Sequence, residues 1–183
     1  MRQPLILVES DQQLPATADV VVIGAGIVGM TAALDLAENG LRVVVLEKGR
    51  VAAEQSSRNW GWVRQQGRDR RELPLIIRSL AAWEHLQEGK GLALGFRRSG
   101  LISLTRNAAE LARWQRWAVN GRSAGITVND IDAARAEELL PRRAAGPWLG
   151  GLHTPDDAQA EPAQVVPEIA RRLHGHWKYR SVV

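Results

Sequence analysis

The amino-acid sequence predicts an α/β protein: an N-terminal Rossmann-like βαβ unit followed by the start of an α+β lobe. Three observations carry this. A β-branched run, Val20 to Ile23, enters Gly24, Gly26 and Gly29; an apolar helical pattern follows; and a second apolar run, Val43 to Leu46, ends on Glu47. The glycines thus form G-x-G-x-x-G between a strand and a helix, the setting in which that motif grips a dinucleotide.

Each part of the unit has a physical task. Gly24 permits the tight turn, Gly26 omits a Cβ where a pyrophosphate would approach, and Gly29 lets the helix sit close to the sheet. The helix begins with free N–H groups and the positive end of its dipole, which together attract phosphate. Ala33 and Leu36 are expected to face the sheet, and Asn39-Gly40 ends the helix with a left-handed residue. The continuous apolar character of residues 43–46 predicts a buried parallel strand. Glu47 follows Gly24 by 23 residues, close to the roughly 20 expected of a carboxylate that accepts both ribose hydroxyls. A carboxylate there also disfavours a 2′-phosphate, and Lys48 beside it reads first as a solvated base.

Beyond Glu47 the pattern changes. Residues 49–73 are polar and rich in Gln, Arg and Gly, with no convincing strand. Pro74 opens a helix whose apolar stripe is Ile76, Leu80 and Trp83, widened by Ile77 and Ala81. Gly89 to Gly95 breaks it, and Phe96 to Leu104 predicts a hairpin turning at Ser99-Gly100. Asn107 caps a further helix with Leu111, Trp114 and Ala118 on one face, ended by Gly121 to Gly125. Ile126 to Val128 predicts a short strand, Asp130 or Asp132 a cap for a helix reaching Leu140 before Pro141, and Gly150 to His153 another strand. Glu161-Pro162 opens a last helix to about Leu173. The organisation expected is an extension over 1–18, a nucleotide-binding part over 19–90, a partial second lobe over 91–160, and a returning helix with an unusual tail over 161–183.

Composition narrows the function classes. The chain has 183 residues, 45% of them hydrophobic, which suffices for a real core. It has no cysteine, so disulfides, thiolate metal sites, cysteine nucleophiles and cysteinyl cofactor links are excluded, which is compatible with a reducing, cytoplasmic location. No run approaches the ~20 apolar residues of a membrane span, and Leu5 to Val8 is too short for a signal-sequence core. The formal charge of +4 rests mainly on arginine, concentrated at Arg58, Arg64, Arg68, Arg70 and Arg71. No nucleic-acid module accompanies that cluster, so no nucleic-acid partner is expected. A role beside a dinucleotide or a substrate carboxylate fits arginine better, and Arg64 or Arg68 is the candidate fork. His174 and His176 read as a solvated pair rather than metal ligands, and His85 and His153 as surface or packing residues. Trp60 and Trp62 offer stacking faces, although packing is the commoner use of tryptophan.

The order of these pieces resembles the D-amino-acid oxidase superfamily of flavoproteins over about Ala18 to Leu173. Beyond the βαβ unit, Ser56, Ser57, Arg58, Asn59, Trp60 and Gly61 are similar to that family's Ser-x-x-Asn-x-Gly segment. FRRSGLISL is similar to the strand pair that opens its substrate lobe, and LLPRRAAGPWLGGLHTPDDAQAEPAQV to the segment leading back to the cofactor domain. The resemblance implies FAD as cofactor, with Gly24, Gly26, Ile27 and Gly29 around the pyrophosphate, Glu47 on the ribose and Lys48 beside the adenosine half. Ser56, Ser57, Asn59 and Gly61 would approach the pyrophosphate and flavin. It further implies a small amine or amino-acid substrate that loses hydride from the C–H next to nitrogen, with neither metal nor catalytic nucleophile. A non-catalytic dinucleotide-binding module and a nicotinamide-dependent dehydrogenase are the alternatives, and the segment from Ser56 to Gly61 favours flavin over nicotinamide.

The chain departs from the family in length. The later strands and the late Gly-rich segment expected against the flavin are not in the sequence, and residues 172–183 lose the helix-then-strand pattern. The expectation is therefore a truncated form with only the adenosine side of the cofactor grip, weak retention of FAD and doubtful turnover.

Overall fold

The structure, a computed structural model, describes residues 6–11, 13–140, 146–174 and 180–182. In chain order its elements are β1 (Val20–Ile23), α1 (Ile27–Glu38), β2 (Val43–Leu46), a 3-10 turn (Gln55–Ser57), β3 (Trp62–Val63), α2 (Leu73–Glu84) and a π-helical turn (His85–Gly89). Then come β4 (Arg97–Arg98), β5 (Leu101–Thr105), α3 (Ala108–Ser123), β6 (Asn129–Ile131), α4 (Ala133–Leu139), β7 (Gly150–Thr154), β8 (Ala158–Gln159), α5 (Pro162–His174) and β9 (Arg180–Val182). The result is a mixed α/β architecture divided into two compact units. One comprises residues 1–61, 85–96 and 160–183; the other comprises 62–84 and 97–159.

The first unit is built on a parallel sheet of order β1-β2-β9. Val20 pairs with Val43 and Ile23 with Leu46, so the two strands joined by α1 end level with each other at Gly24 and Glu47. That shared end brings the glycine turn and the carboxylate together. Arg42 reinforces the opposite end: its guanidinium donates to both carboxylate oxygens of Asp19, at 2.6 and 3.0 Å, and its backbone N–H donates to the same group. This bond, with Asp19's charge, raises the Arg42 pKa above its ordinary value. Helix α1 buries Met30, Ala33, Leu34 and Ala37 and packs on β2 and α5. Of the two residues expected to face the sheet, Ala33 is buried and Leu36 is only half-buried. Helix α5 covers α1 with a wide apolar face that includes Val165, Val166, Ile169 and Leu173.

The second unit has an antiparallel sheet of order β5-β7-β6 and a small ribbon of order β3-β8-β4. Its core joins Leu73, Ala118, Ile126, Val128 and Leu152, with Ile77, Trp114 and Trp117 packed against them. Leu73 and Ile77 bring α2 into this core, and Ala118 brings α3. Asn107 caps α3 by accepting from the backbone N–H groups of Ala109 and Glu110, and of the two candidate caps for α4 it is Asp132 that accepts from Arg135.

Several sequence expectations are corrected. Residues 96–104 do not form a hairpin: β4 pairs with β8 whereas β5 pairs with β7, in a different sheet. The local pattern identified two strands and a turn, yet Gly100 donates its N–H to Asp157 instead of closing a two-residue loop. The strand expected at Ile126 to Val128 lies at Asn129–Ile131; both earlier residues are buried because they serve the core, not because they pair. The polar stretch after Glu47 does contain a short strand, β3, paired to β8. Residues 180–182 keep the helix-then-strand order, because β9 needs only its backbone to pair in parallel with β2. The two compact units interleave along the chain, with α2 in the second and residues 85–96 in the first. Pro141 and His176 lie outside the described residues.

Candidate dinucleotide site

The end of β1 turns through Gly24 at φ +101° into α1, whose first residue is Ile27. A Cβ on Gly29 would stand 2.1 Å from the carbonyl oxygen of Gly24, so only glycine lets the first helical turn lie this close to the loop. Around Gly26 a Cβ would be 3.1 Å from Ser56 Oγ. No side chain of α1's own N-terminal residue caps the helix. The amides of its first turn have no carbonyl four residues back, and other parts of the chain reach them.

Two residues do so. Glu47, at the end of β2, accepts the Ala25 N–H through Oε2 at 2.8 Å and the Gly49 N–H through Oε1 at 2.9 Å. The carboxylate therefore ties the glycine loop to the segment after β2, while each oxygen keeps further acceptor capacity for a hydroxyl. Ser56, in the 3-10 turn, accepts the Ile27 N–H through Oγ at 2.9 Å. Ala52, the one non-glycine described residue with positive φ, closes the same segment by donating its N–H to Ala25 at 3.0 Å.

The remaining sequence candidates divide. Gly24, Gly26, Ile27, Gly29, Glu47 and Ser56 come together. Lys48 is adjacent and exposed. Ser57 and Asn59 bond to their own loop: Ser57 Oγ donates to Glu54, and Asn59 donates to Gln55 and Ser56 while accepting the Gly61 N–H at 2.8 Å. Gly61, at φ +73°, is held against the backbone of Ala160, whose N–H donates to it at 2.9 Å; a Cβ would lie 2.1 Å from the Ala160 carbonyl oxygen. Asn59 and Gly61 thus shape the segment. His174 bonds through Nε2 to the Glu9 carbonyl at 2.6 Å, so its ring nitrogen is the donor.

Arg64 and Arg68 belong to the second unit. Arg64 donates through Nη1 to the Gln66 carbonyl at 2.9 Å and stands 5.9 Å from the Trp62 ring. It lines a cleft of about 120 Å³ with Trp62, Ser99, Gly100, Leu101, Ala158 and Gln159. Arg68 contributes its carbonyl, which accepts the Trp117 indole N–H at 2.7 Å.

The buried feature that sequence reading missed is Asp157, only 1% exposed. Its carboxylate accepts the N–H groups of Gln65 and Gln66 at 2.7 and 3.2 Å and the Thr154 hydroxyl at 2.6 Å. Gln66 in turn donates to Thr154 and accepts from Ser103. A Pro-Asp-Asp triplet reads as an exposed turn; the Thr-x-x-Asp spacing from Thr154 is the local signal that hints otherwise. Asp156 takes the surface role and pairs with Arg98, which is bound chiefly by Glu84.

A glycine-rich strand-to-helix turn, an acidic residue on the neighbouring strand and a second loop at the helix N-terminus together define a dinucleotide-binding protein of the Rossmann-like class. Residues 19–177 match the profile of a family described as FAD dependent oxidoreductase. The chain belongs to that family, whose cofactor is FAD. It is 29% identical over 162 residues to glycine oxidase from Geobacillus kaustophilus, covering 85% of this chain and 42% of the relative. It is 28% identical to human mitochondrial sarcosine dehydrogenase, covering 86% of this chain and 17% of that protein. The fold is similar to L-amino acid deaminase from Proteus myxofaciens, solved with anthranilate, at a TM-score of 0.89 and 27% identity over 97% of this chain and 41% of the other. The chain thus spans about two fifths of the length of the oxidase and the deaminase. Among the described residues no helix is long and apolar enough to cross a membrane.

Proposed function

We propose that this chain forms the nucleotide-gripping part of an FAD-dependent oxidoreductase that oxidises the C–H bond next to the nitrogen of an amine or amino acid. The observation that carries the proposal is the convergence of Glu47 and Ser56 on successive segments of the glycine loop and the first turn of α1. In this reading Gly24, Gly26, Ile27 and Gly29 surround the pyrophosphate, with backbone N–H groups and the helix dipole offsetting its charge. Glu47 accepts from the adenosine ribose, and Lys48 lies beside that half. Ser56 exchanges its bond to Ile27 for one to a phosphate oxygen, while Ser57, Asn59 and Gly61 hold the loop that presents it. When bound, FAD supplies a hydride acceptor at flavin N5 for the C–H bond beside a neutral amine.

On the substrate side, Arg64 is the candidate carboxylate fork. Its Nη1 is oriented by Gln66, leaving N–H groups for a bidentate contact, and it forms no salt bridge among the described residues. Arg68 is the weaker candidate, being exposed. Glycine, sarcosine and L-amino acids, named in the relatives, share the amine and carboxylate that such a site would take.

The test is equilibrium dialysis of the purified chain against FAD, followed by flavin absorbance. Saturable binding displaced by ADP supports the proposal, and a chain that takes up neither FAD nor ADP overturns it. Bleaching of the bound flavin by glycine, sarcosine or a neutral L-amino acid under anaerobic conditions tests the chemistry.

A further inference from the structure

We infer that residues 6–10 of the N-terminal extension, which precedes the family match beginning at residue 19, form the outer wall of an adenine pocket. The inference rests on the FAD reading above and adds a binding element to it. Residues 6–10 lie against Gly49, Arg50 and Val51 and enclose with them a cleft of about 550 Å³ in the first unit. That volume is in the range of cofactor and small-ligand pockets.

Three observations place the cleft at the adenine end. Its inner wall starts at Gly49, whose N–H is bonded to the same Glu47 carboxylate that accepts from Ala25 of the glycine loop. Ala52, one residue past Val51, bonds back to Ala25. A ribose held by Glu47 therefore has the Gly49–Val51 wall immediately beside it, and the base attached to that ribose extends into the cleft. The walls also have the chemistry of a purine slot: Ile6, Leu7, Val8 and Val51 offer apolar faces, while Glu9, Ser10 and Arg50 supply polar groups at the rim. Leu7 is 70% exposed, an apolar side chain that a planar base would cover. The extension is held in place from α5, where His174 donates to the Glu9 carbonyl at 2.6 Å.

The experiment measures ADP and inorganic pyrophosphate binding to the full chain by calorimetry, with Leu7→Asp and Val51→Asp variants and circular dichroism to establish that the fold is kept. Pyrophosphate reports on the helix N-terminus alone, and ADP on that site plus the base. The expected result is ADP affinity reduced about tenfold in either variant, with pyrophosphate affinity unchanged; a variant lacking residues 1–10 should show the same split. ADP bound equally by all forms overturns the inference while leaving the FAD reading intact. A parent chain that binds neither ligand overturns both.

Discussion

Ser56 Oγ accepts the backbone N–H of Ile27 at 2.9 Å, so a residue 29 positions further along the chain closes the helix that the glycine loop opens. The bond replaces the side-chain cap that Gly26 cannot provide. Ser56→Ala should lower stability by about 1 kcal/mol, the usual cost of losing a helix cap, measurable by urea unfolding. Ser56→Thr, which keeps the hydroxyl, should recover most of it. The alanine variant should also weaken pyrophosphate binding.

Glycine is required at position 29 by contact rather than by conformation. Its absent Cβ would meet the Gly24 carbonyl oxygen at 2.1 Å. Gly29→Ala should destabilise the first unit by about 2 kcal/mol or more, as overpacking against backbone does. Gly40→Ala has open space around it and only a left-handed φ of +89° to resist, so it should cost less. Thermal unfolding of the two variants orders them.

Glu47 holds two backbone donors with one carboxylate. Glu47→Gln leaves an amide N–H facing one of those donors and should cost about 1.5–3 kcal/mol, the range for hydrogen bonds to charged groups. It should reduce adenosine affinity more than pyrophosphate affinity. Calorimetry with the two ligands separates the effects.

Asp157 should prove more important to folding than any surface acid. Asp157→Asn removes an acceptor from one of three buried donors and should cost about 2–4 kcal/mol, the penalty for leaving such groups unsatisfied. Asp156→Asn, on the adjacent surface residue, should change stability by less than about 1 kcal/mol. Urea unfolding of both variants, side by side, is the measurement.

The exposed pair Asp69 and Arg71 gives a pH prediction. The Arg71 side-chain bond lowers the Asp69 pKa from 3.8 to about 2. A carboxylate depressed on folding contributes above its unfolded value and loses that contribution as pH falls. The window is therefore from 3.8 down to about 2. Carboxyl NMR should show a midpoint near the lower value, and Arg71→Gln should return it toward the ordinary one. Solvent screening keeps the effect on global stability small.

Much of the first unit is legible in the sequence because its determinants are local. Residues 20–47 specify strand, turn, helix, stop and strand through side-chain period and glycine placement, and Glu47 falls at the strand end by count alone. The cap at Asn107 is legible for the same reason, a cap acting on amides two or three residues away, and that of α4 is narrowed to Asp130 or Asp132, of which the structure uses Asp132. The segment from residue 96 to residue 104 marks the limit. Its strands were visible, but their partners β7 and β8 lie about 50 to 60 residues later, and no local pattern chooses between a neighbour and a distant edge.

By itself, then, the sequence determined the βαβ unit of residues 20–46, an FAD family resemblance and the placement of Gly24, Gly26, Gly29 and Glu47 at its glycine turn and second strand end, since these depend on spacing within one short segment. Only the tertiary structure decided that Ser56 closes α1, that the interleaved segments sort into two units, that Asp157 is a buried anchor, and that residues 6–10 line a cleft with Gly49, Arg50 and Val51. Each of those outcomes depends on which distant groups meet once apolar surface is buried. Unpaired N–H groups then take the nearest acceptor the fold supplies, whatever its position in the chain.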